Sequence, residues 1–254
     1  MRLDTMFSLA GRVAVVTGGA RGNGRSIARG LTAFGATVYL LDLLDTELET
    51  TCRELGPLCK AIRTDITDAS GVAEAFQTIF EANGRFDVLF NNAGISLSAP
   101  SESYSQEQWR KTFSINLDAP FVLSQLAFPH MVASMGGVIV NLTSLCSELG
   151  ATENAGYVSA KGGLKMLTRA LAKDWAKHNI RVNNLGLGYF QTAMTNKSFN
   201  DPALSRIRIG RTMLDRWGDE DDLAGPAVFL ASDASRYMTG QDLYIDGGFL
   251  SNGI

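Results

Sequence analysis

Tyr157 and Lys161 stand four residues apart in Tyr157-Val158-Ser159-Ala160-Lys161, at the start of a segment with helical periodicity. Side chains so spaced share one face of a helix. A phenol with a reference pKa of about 10 is a poor base at neutral pH, but an ammonium beside it stabilises the phenolate and lowers that value. The pair can therefore give and take a proton. Ser144 closes the run Val138-Ile139-Val140-Asn141-Leu142-Thr143-Ser144, and strand C-terminal ends are where open α/β sheets bind ligands. Its hydroxyl can hold a reacting oxygen beside Tyr157. Tyr-x-x-x-Lys alone is common on amphipathic helices, so its meaning depends on its company.

That company begins with Thr17-Gly18-Gly19-Ala20-Arg21-Gly22-Asn23-Gly24, which follows an apolar run and precedes a helical pattern. Gly18, Gly22 and Gly24 permit a tight turn and close backbone approach to a pyrophosphate, and the helix start offers free N–H groups and a partial positive charge. Arg21 and Asn23 sit between these glycines, and the contact at Asn23 is expected from its backbone. Asp42 ends the next apolar run, 18 residues beyond Gly24. A carboxylate there accepts the adenosine ribose hydroxyls and repels a 2′-phosphate, which favours NAD as cofactor. Arg21 argues the other way, as a cation that can face a 2′-phosphate. Asp42 outweighs it, because the repulsion acts at the ribose itself.

The elements that position these groups alternate. Apolar, β-branched runs fall at 13–17, 37–41, 88–90, 138–142 and 181–185, and helical periodicity falls at 25–34, 71–81, 106–134, 156–177 and 222–230. Alternation with right-handed crossovers predicts an α/β fold, a parallel sheet with helices on both faces and strands buried on both sides. No linker, repeat or low-complexity tract divides residues 1–254, so a single domain is expected. The irregular stretch 188–217, with Pro202 and several cations, reads as a substrate lid.

Composition narrows the class. With 45% hydrophobic and 19% charged residues and a net charge of −3, the chain has the make-up of an ordinary soluble protein and no basic block for nucleic acid. Cys52, Cys59 and Cys146 form an odd, scattered set, and His130 and His178 lie far from them. Neither a disulfide framework nor a metal site is expected, and Cys146 reads as a small packing residue. No cleavable leader and no apolar run of about 20 residues is present. A cytoplasmic protein without a membrane partner is the expectation.

Taken together, Thr17-Gly18-x-x-x-Gly22-x-Gly24, Asn91-Asn92-Ala93-Gly94, Ser144 and Tyr157-x-Ser159-x-Lys161 resemble the short-chain dehydrogenase/reductase family over nearly the whole chain. The resemblance implies a Rossmann-type doubly wound sheet and hydride transfer between NAD(H) and a secondary alcohol or ketone, with Tyr157 as general acid/base. It implies that Asp65 and Ile66 border the adenine, and that Asn92, with Ala93 and Gly94, lies along the cofactor. It further implies that Asn116 links Lys161 to a proton-relay water, that Lys161 holds the nicotinamide ribose, and that Gly188, Phe190 and Thr192 meet the nicotinamide side. Leu187 departs from the family pattern, which has proline before Gly188. Its loop is expected to lose a φ constraint, and Gly186 to add freedom.

For substrate contacts, Glu148, Glu153 and Asn154 fall between Ser144 and Tyr157 and suit a molecule with several hydroxyls, a polyol or sugar. Lys197, Arg206, Arg208, Arg211 and Arg216 can alternatively pair with a sugar-acid carboxylate. Arg216-Trp217-Gly218 and the stretch from Tyr244 to Phe249 resemble sugar and gluconate dehydrogenases of the family. A 3-oxoacyl-thioester reductase and a catalytically silent dinucleotide-sensing protein are the competing expectations. By resemblance, the long helices pair into a homotetramer.

Overall fold

Strands form where β-branched and leucine runs can be buried on both faces. In the computed structural model, which describes residues 3–252, these are β1 (Val13–Thr17), β2 (Thr37–Asp42), β3 (Cys59–Arg63), β4 (Val88–Asn91), β5 (Gly137–Ser144), β6 (Ile180–Leu187) and β7 (Asp242–Ile245). All pairings are parallel, in the order β3-β2-β1-β4-β5-β6-β7. The order reverses between β1 and β4, and the crevice at such a reversal is where doubly wound sheets bind ligands. Every residue of β1 and β4 is buried, which is why both read as unbroken apolar runs.

The two edge strands carry no such run. In β3 only Cys59 is buried while Lys60, Ala61 and Arg63 face solvent, and β7 is half-buried throughout. An edge strand has little apolar surface to hide, so nothing in its composition announces it.

Connecting the strands are α1 (Gly22–Ala33), α2 (Asp45–Leu55), α3 (Ala69–Asn83), α4 (Gln106–Phe113), α5 (Ala119–Ala133), α6 (Ala155–Trp175), α7 (Asn196–Asn200), α8 (Pro202–Ile209) and α9 (Glu220–Ala231). Alternate strand residues feed two cores. Val16, Leu40, Phe90, Val140 and Leu185 pack beneath Ile27, Leu31, Leu48 and Leu223 from α1, α2 and α9. Val15, Leu41, Leu89, Ile139 and Val182 pack beneath Phe76, Ile79, Leu123, Met131 and Leu171 from α3, α5 and α6.

The stretch read as one helix over 106–134 is interrupted by a π turn at Ser114–Asp118. The turn carries the fully buried Asn116. A second expectation is corrected at the cysteines. Gly56, Pro57 and Leu58 turn the end of α2 back onto β3, so Cys52 and Cys59, both free, lie with their sulfurs 2.9 Å apart. Among the described residues, no cluster of three or more His, Cys, Asp or Glu side chains could hold a metal ion, and no helix is long and apolar enough to cross a membrane.

Candidate active site

The phosphate-loop candidate is built by hydrogen bonds that leave α1 pressed against the end of β1. Gly18, at φ +63°, donates its N–H to the Leu41 carbonyl at 2.8 Å. The Thr17 hydroxyl accepts N–H bonds from Asn92 and Ala93 at 3.0 and 3.1 Å and donates to the Phe90 carbonyl. Asn92 Nδ2 in turn donates to the carbonyls of Thr17 and Gly18 at 2.8 and 3.0 Å. A Cβ on Gly24 would lie 2.1 Å from the Gly18 oxygen, so only glycine allows this approach. Arg21, the residue before α1, makes no side-chain cap and is exposed. The first N–H groups of α1, those of Gly22, Asn23 and Gly24, therefore stay open to an anion.

Asp42 sits beside this loop with its carboxylate pinned. Its Oδ2 accepts the Ala20 N–H at 3.1 Å, and its Oδ1 accepts those of Leu43 and Leu44 at 2.7 and 3.3 Å. The Thr64 N–H binds the Asp42 carbonyl at 3.0 Å, which brings the β3 end alongside. There Asp65 spends its carboxylate on its own turn, accepting from the N–H and hydroxyl of Thr67. Ile66 is half-buried against the neighbouring core.

The proton-handling candidates gather at the C-terminal ends of β4 and β5. Lys161 is almost wholly buried, and its Nζ donates to the Leu142 carbonyl at 2.7 Å and lies 5.7 Å from the Tyr157 ring centre. A Cβ on Gly94 would be 2.8 Å from Asn116 Oδ1 and 3.6 Å from Lys161 Nζ, which locates all three in one spot. The π turn holds Asn116 there. Its Nδ2 donates to the carbonyls of Ile95 and Thr112, both at 2.9 Å, and its Oδ1 accepts the Ile95 N–H.

Burial pushes the Lys161 ammonium down to about 8. It pushes the Tyr157 phenol up to about 12, with a hydrogen bond from Ser144 pulling the other way. Lys161 is therefore not what dominates the phenol here. Desolvation opposes charge in both groups, and the spacing of the two residues carries no trace of it.

Sequence reasoning passed over two organising residues. Ser147 accepts the Ser144 N–H through its hydroxyl and donates to the Lys161 carbonyl at 3.1 Å, tying Ser144 to α6. Thr195 takes the Thr192 N–H at 2.9 Å and donates to the Phe190 carbonyl, fixing the turn that carries both. Small hydroxyl residues close to the recognised ones were the available signal.

Leu187 is corrected from a source of looseness to a strand residue. It is buried in β6 and registers with Ser144 on one side and Ile245 on the other, so sheet pairing replaces the missing ring. Gly186 likewise serves packing, since its Cβ would lie 2.2 Å from the Tyr244 ring. Gly188 follows with its N–H on the Ile245 carbonyl, and Phe190 is buried.

Among the substrate-contact candidates, Glu148 turns its carboxylate to Lys165 and to the Tyr244 hydroxyl, 2.5 Å away. That carboxylate is engaged by the protein itself, because β7 folds against α6. Exposed Glu153 has φ 57° and gives its carbonyl to the Ala99 N–H, while Asn154 Oδ1 accepts from the Ser96 hydroxyl at 3.0 Å. Between the phosphate loop and the 188–217 segment runs a cleft of about 470 Å³ lined by Arg21, Gly22, Gln191, Thr192, Ala193, Asn196, Asp219 and Glu220. A separate cavity of about 160 Å³ under Tyr189, Phe190, Leu214 and Ile245 is lined by none of the proton-handling residues.

Residues 18–250 match a protein family described as enoyl-(acyl carrier protein) reductase. The chain is 37% identical to the 5-keto-D-gluconate 5-reductase of Escherichia coli K12 over 98% of this chain and 99% of that protein. It is 38% identical to the gluconate 5-dehydrogenase of Gluconobacter oxydans 621H over 96% of each. The crystal structure of a gluconate 5-dehydrogenase from Burkholderia cenocepacia J2315, in complex with NADP and tartrate, superposes with a TM-score of 0.93 at 36% identity, covering 97% of this chain and 98% of that one.

Proposed function

Because this chain belongs to the short-chain dehydrogenase/reductase family, we propose that it transfers a hydride between a nicotinamide dinucleotide and a secondary alcohol or ketone of a sugar acid. Tyr157 is the general acid/base in this reading. The observation that carries it is the meeting of Tyr157, Ser144, buried Lys161 and Asn116 beside a phosphate loop whose N–H donors stay open.

The residues fit a dinucleotide. Gly24 against Gly18 leaves bare backbone for the pyrophosphate, through Gly18, Gly22, Asn23 and Gly24 with Arg21 at the rim, and Asp42 stands ready for the ribose diol. Asp65 and Ile66 flank the adenine end, Asn92, Ala93 and Gly94 the middle, and Gly188, Phe190 and Thr192 the nicotinamide end. When bound, the dinucleotide supplies the hydride acceptor or donor at its nicotinamide C4.

The chain's own groups handle the proton. In the reducing direction Tyr157, protonated because burial holds its phenol high, donates its proton to the oxygen that gains charge, while the Ser144 hydroxyl donates a hydrogen bond to it. In the oxidising direction the phenolate must accept the hydroxyl proton, and the Lys161 ammonium is the charge that favours that phenolate. Lys161 also holds the nicotinamide ribose, and Asn116 links Lys161 to the water that takes the proton towards solvent.

NAD is favoured because Asp42 cannot swing aside. Three N–H bonds fix its negative charge where a 2′-phosphate would enter. The NADP of the Burkholderia relative and exposed Arg21 favour NADP as the second reading. The 188–217 segment acts as the lid of this site. Exposed Trp109, Phe121, Val132 and Met166 on α4, α5 and α6 support pairing of these helices in a homotetramer.

The test is a panel of D-gluconate, 5-keto-D-gluconate, neutral polyols and 3-oxoacyl thioesters, followed by reduced-nicotinamide absorbance with NAD(H) and NADP(H) in parallel. Turnover of the sugar acids, fastest with NAD(H), is expected. Turnover of thioesters alone would overturn the substrate reading, and preference for NADP(H) the cofactor reading.

A further inference from the structure

The 188–217 segment carries five cations, and the structure sorts them. Arg216 is committed to Asp222 through two bonds of 2.6 and 2.8 Å. Lys197 and Arg206 are exposed, and exposed Arg211 lies over the Phe249 ring. Arg208 differs from the other four. It is half-buried on the last turn of α8, with its guanidinium carbon 4.5 Å from the Tyr189 ring centre. Among the described residues it has neither a carboxylate partner nor a side-chain hydrogen bond.

Tyr189 lies two residues beyond Leu187, and Leu187 registers with Ser144. A group stacked on Tyr189 therefore stands beyond the C-terminal ends of β5 and β6. The charge of Arg208 accordingly reaches the Cys146 thiol, as does that of Lys161, and the Cys146 N–H is bonded to the Ser144 hydroxyl at 3.2 Å. Stacking covers one face of the guanidinium and leaves its N–H edge free. That edge matches a carboxylate through two parallel hydrogen bonds. A half-buried cation without a counter-charge is unfavourable, and an arriving carboxylate removes the penalty.

We propose that Arg208, held by Tyr189, is the residue that binds the carboxylate of the sugar-acid substrate and so separates sugar acids from neutral polyols. The proposal rests on the sugar-acid reading above and deepens it.

The test compares kcat/KM for D-gluconate and for the uncharged polyol D-sorbitol in the wild type, Arg208→Gln, Arg208→Lys and Arg53→Gln, with thermal melting of each. Loss of a charged, bidentate contact predicts a fall of about 10- to 150-fold for gluconate in Arg208→Gln, carried by KM. Sorbitol turnover should change by less than about threefold. Arg208→Lys, a point charge without the fork, should fall between, and Arg53→Gln, at an exposed cation of α2 outside the site, should match the wild type. Equal losses on both substrates would make Arg208 a structural prop for Tyr189 and overturn the proposal, as would full retention of gluconate preference in Arg208→Gln. In either case the sugar-acid reading stands. A wild type with no preference for gluconate over sorbitol overturns both.

Discussion

Gly24→Ala probes whether close backbone contact shapes the dinucleotide site. The added Cβ would lie 2.1 Å from the Gly18 oxygen, 2.7 Å from Asn92 Nδ2 and 2.9 Å from the Gly18 carbon. Two of these are backbone atoms, and the third belongs to an amide already bonded to the carbonyls of Thr17 and Gly18. Gly18 cannot yield easily, being at positive φ with its N–H on Leu41. Relief requires a shift of about 1 Å, and such overpacking costs about 1–3 kcal/mol of stability. The same shift moves the start of α1 away from its anion, and one lost charge-assisted hydrogen bond of about 1.5–3 kcal/mol weakens binding about 10- to 150-fold. Fluorescence titration with NADH and thermal melting measure the two effects. Gly225→Ala serves as control, because Gly225 is exposed in α9 and its Cβ would meet nothing within 4 Å. That change should leave NADH affinity alone, and Pro226, which disfavours helical backbone at a preceding residue with a Cβ, offsets the helix propensity gained. NADH affinity within twofold of wild type in Gly24→Ala, with unchanged melting, would show that close backbone contact at Gly24 does not shape the site.

Asp42→Ser removes the fixed charge beside the proposed ribose site, so affinity for NADPH relative to NADH should rise by about tenfold, or 1.4 kcal/mol, in parallel titrations; an unchanged ratio would remove Asp42 from cofactor choice. Lys161 titrates near 8 in the fold against about 10.4 in the unfolded chain. Between those values the unfolded chain binds the extra proton, so stability rises with pH through this window and the burial penalty is complete only below it. Urea melts at pH 7.5 and 9.5 should show the wild type gaining about 2 kcal/mol over Lys161→Met between the two. Gly186→Ala pushes on the Tyr244 ring from 2.2 Å and should destabilise by about 1–3 kcal/mol in the same melts, because that ring is tied to Glu148.

How far the sequence could be read follows from what each feature depends on. Features of local spacing were legible. Tyr157 and Lys161 share a helix face by their interval, and the glycines of 18–24 declare a turn between a strand and a helix. The central strands were legible because burial on both faces demands unbroken apolar runs, whereas β3 and β7 lie at edges where half-exposed residues suffice. Features set by distant partners were hidden. Glu148 looked free until Tyr244, 96 residues away in sequence, claimed it. Gly186 looked flexible until the same ring filled its open side, and Cys52 looked isolated until α2 folded back on β3. The π turn around Asn116 changes hydrogen-bond pairing without changing composition, so no periodicity reveals it. Desolvation of Tyr157 and Lys161 depends on everything packed around them, which is why spacing suggested a lowered phenol and the fold raises it.

In the proposed mechanism, Tyr157 handles the proton while other groups bind the dinucleotide. Tyr157→Phe removes one hydroxyl and keeps the ring, so NADH affinity by fluorescence titration and steady-state turnover of the preferred sugar acid separate the two roles. NADH affinity within about twofold of wild type, together with a loss of at least the 10²-fold typical of a general acid/base, is the expected result. Turnover retained at the wild-type level, with NADH still bound, would contradict the account.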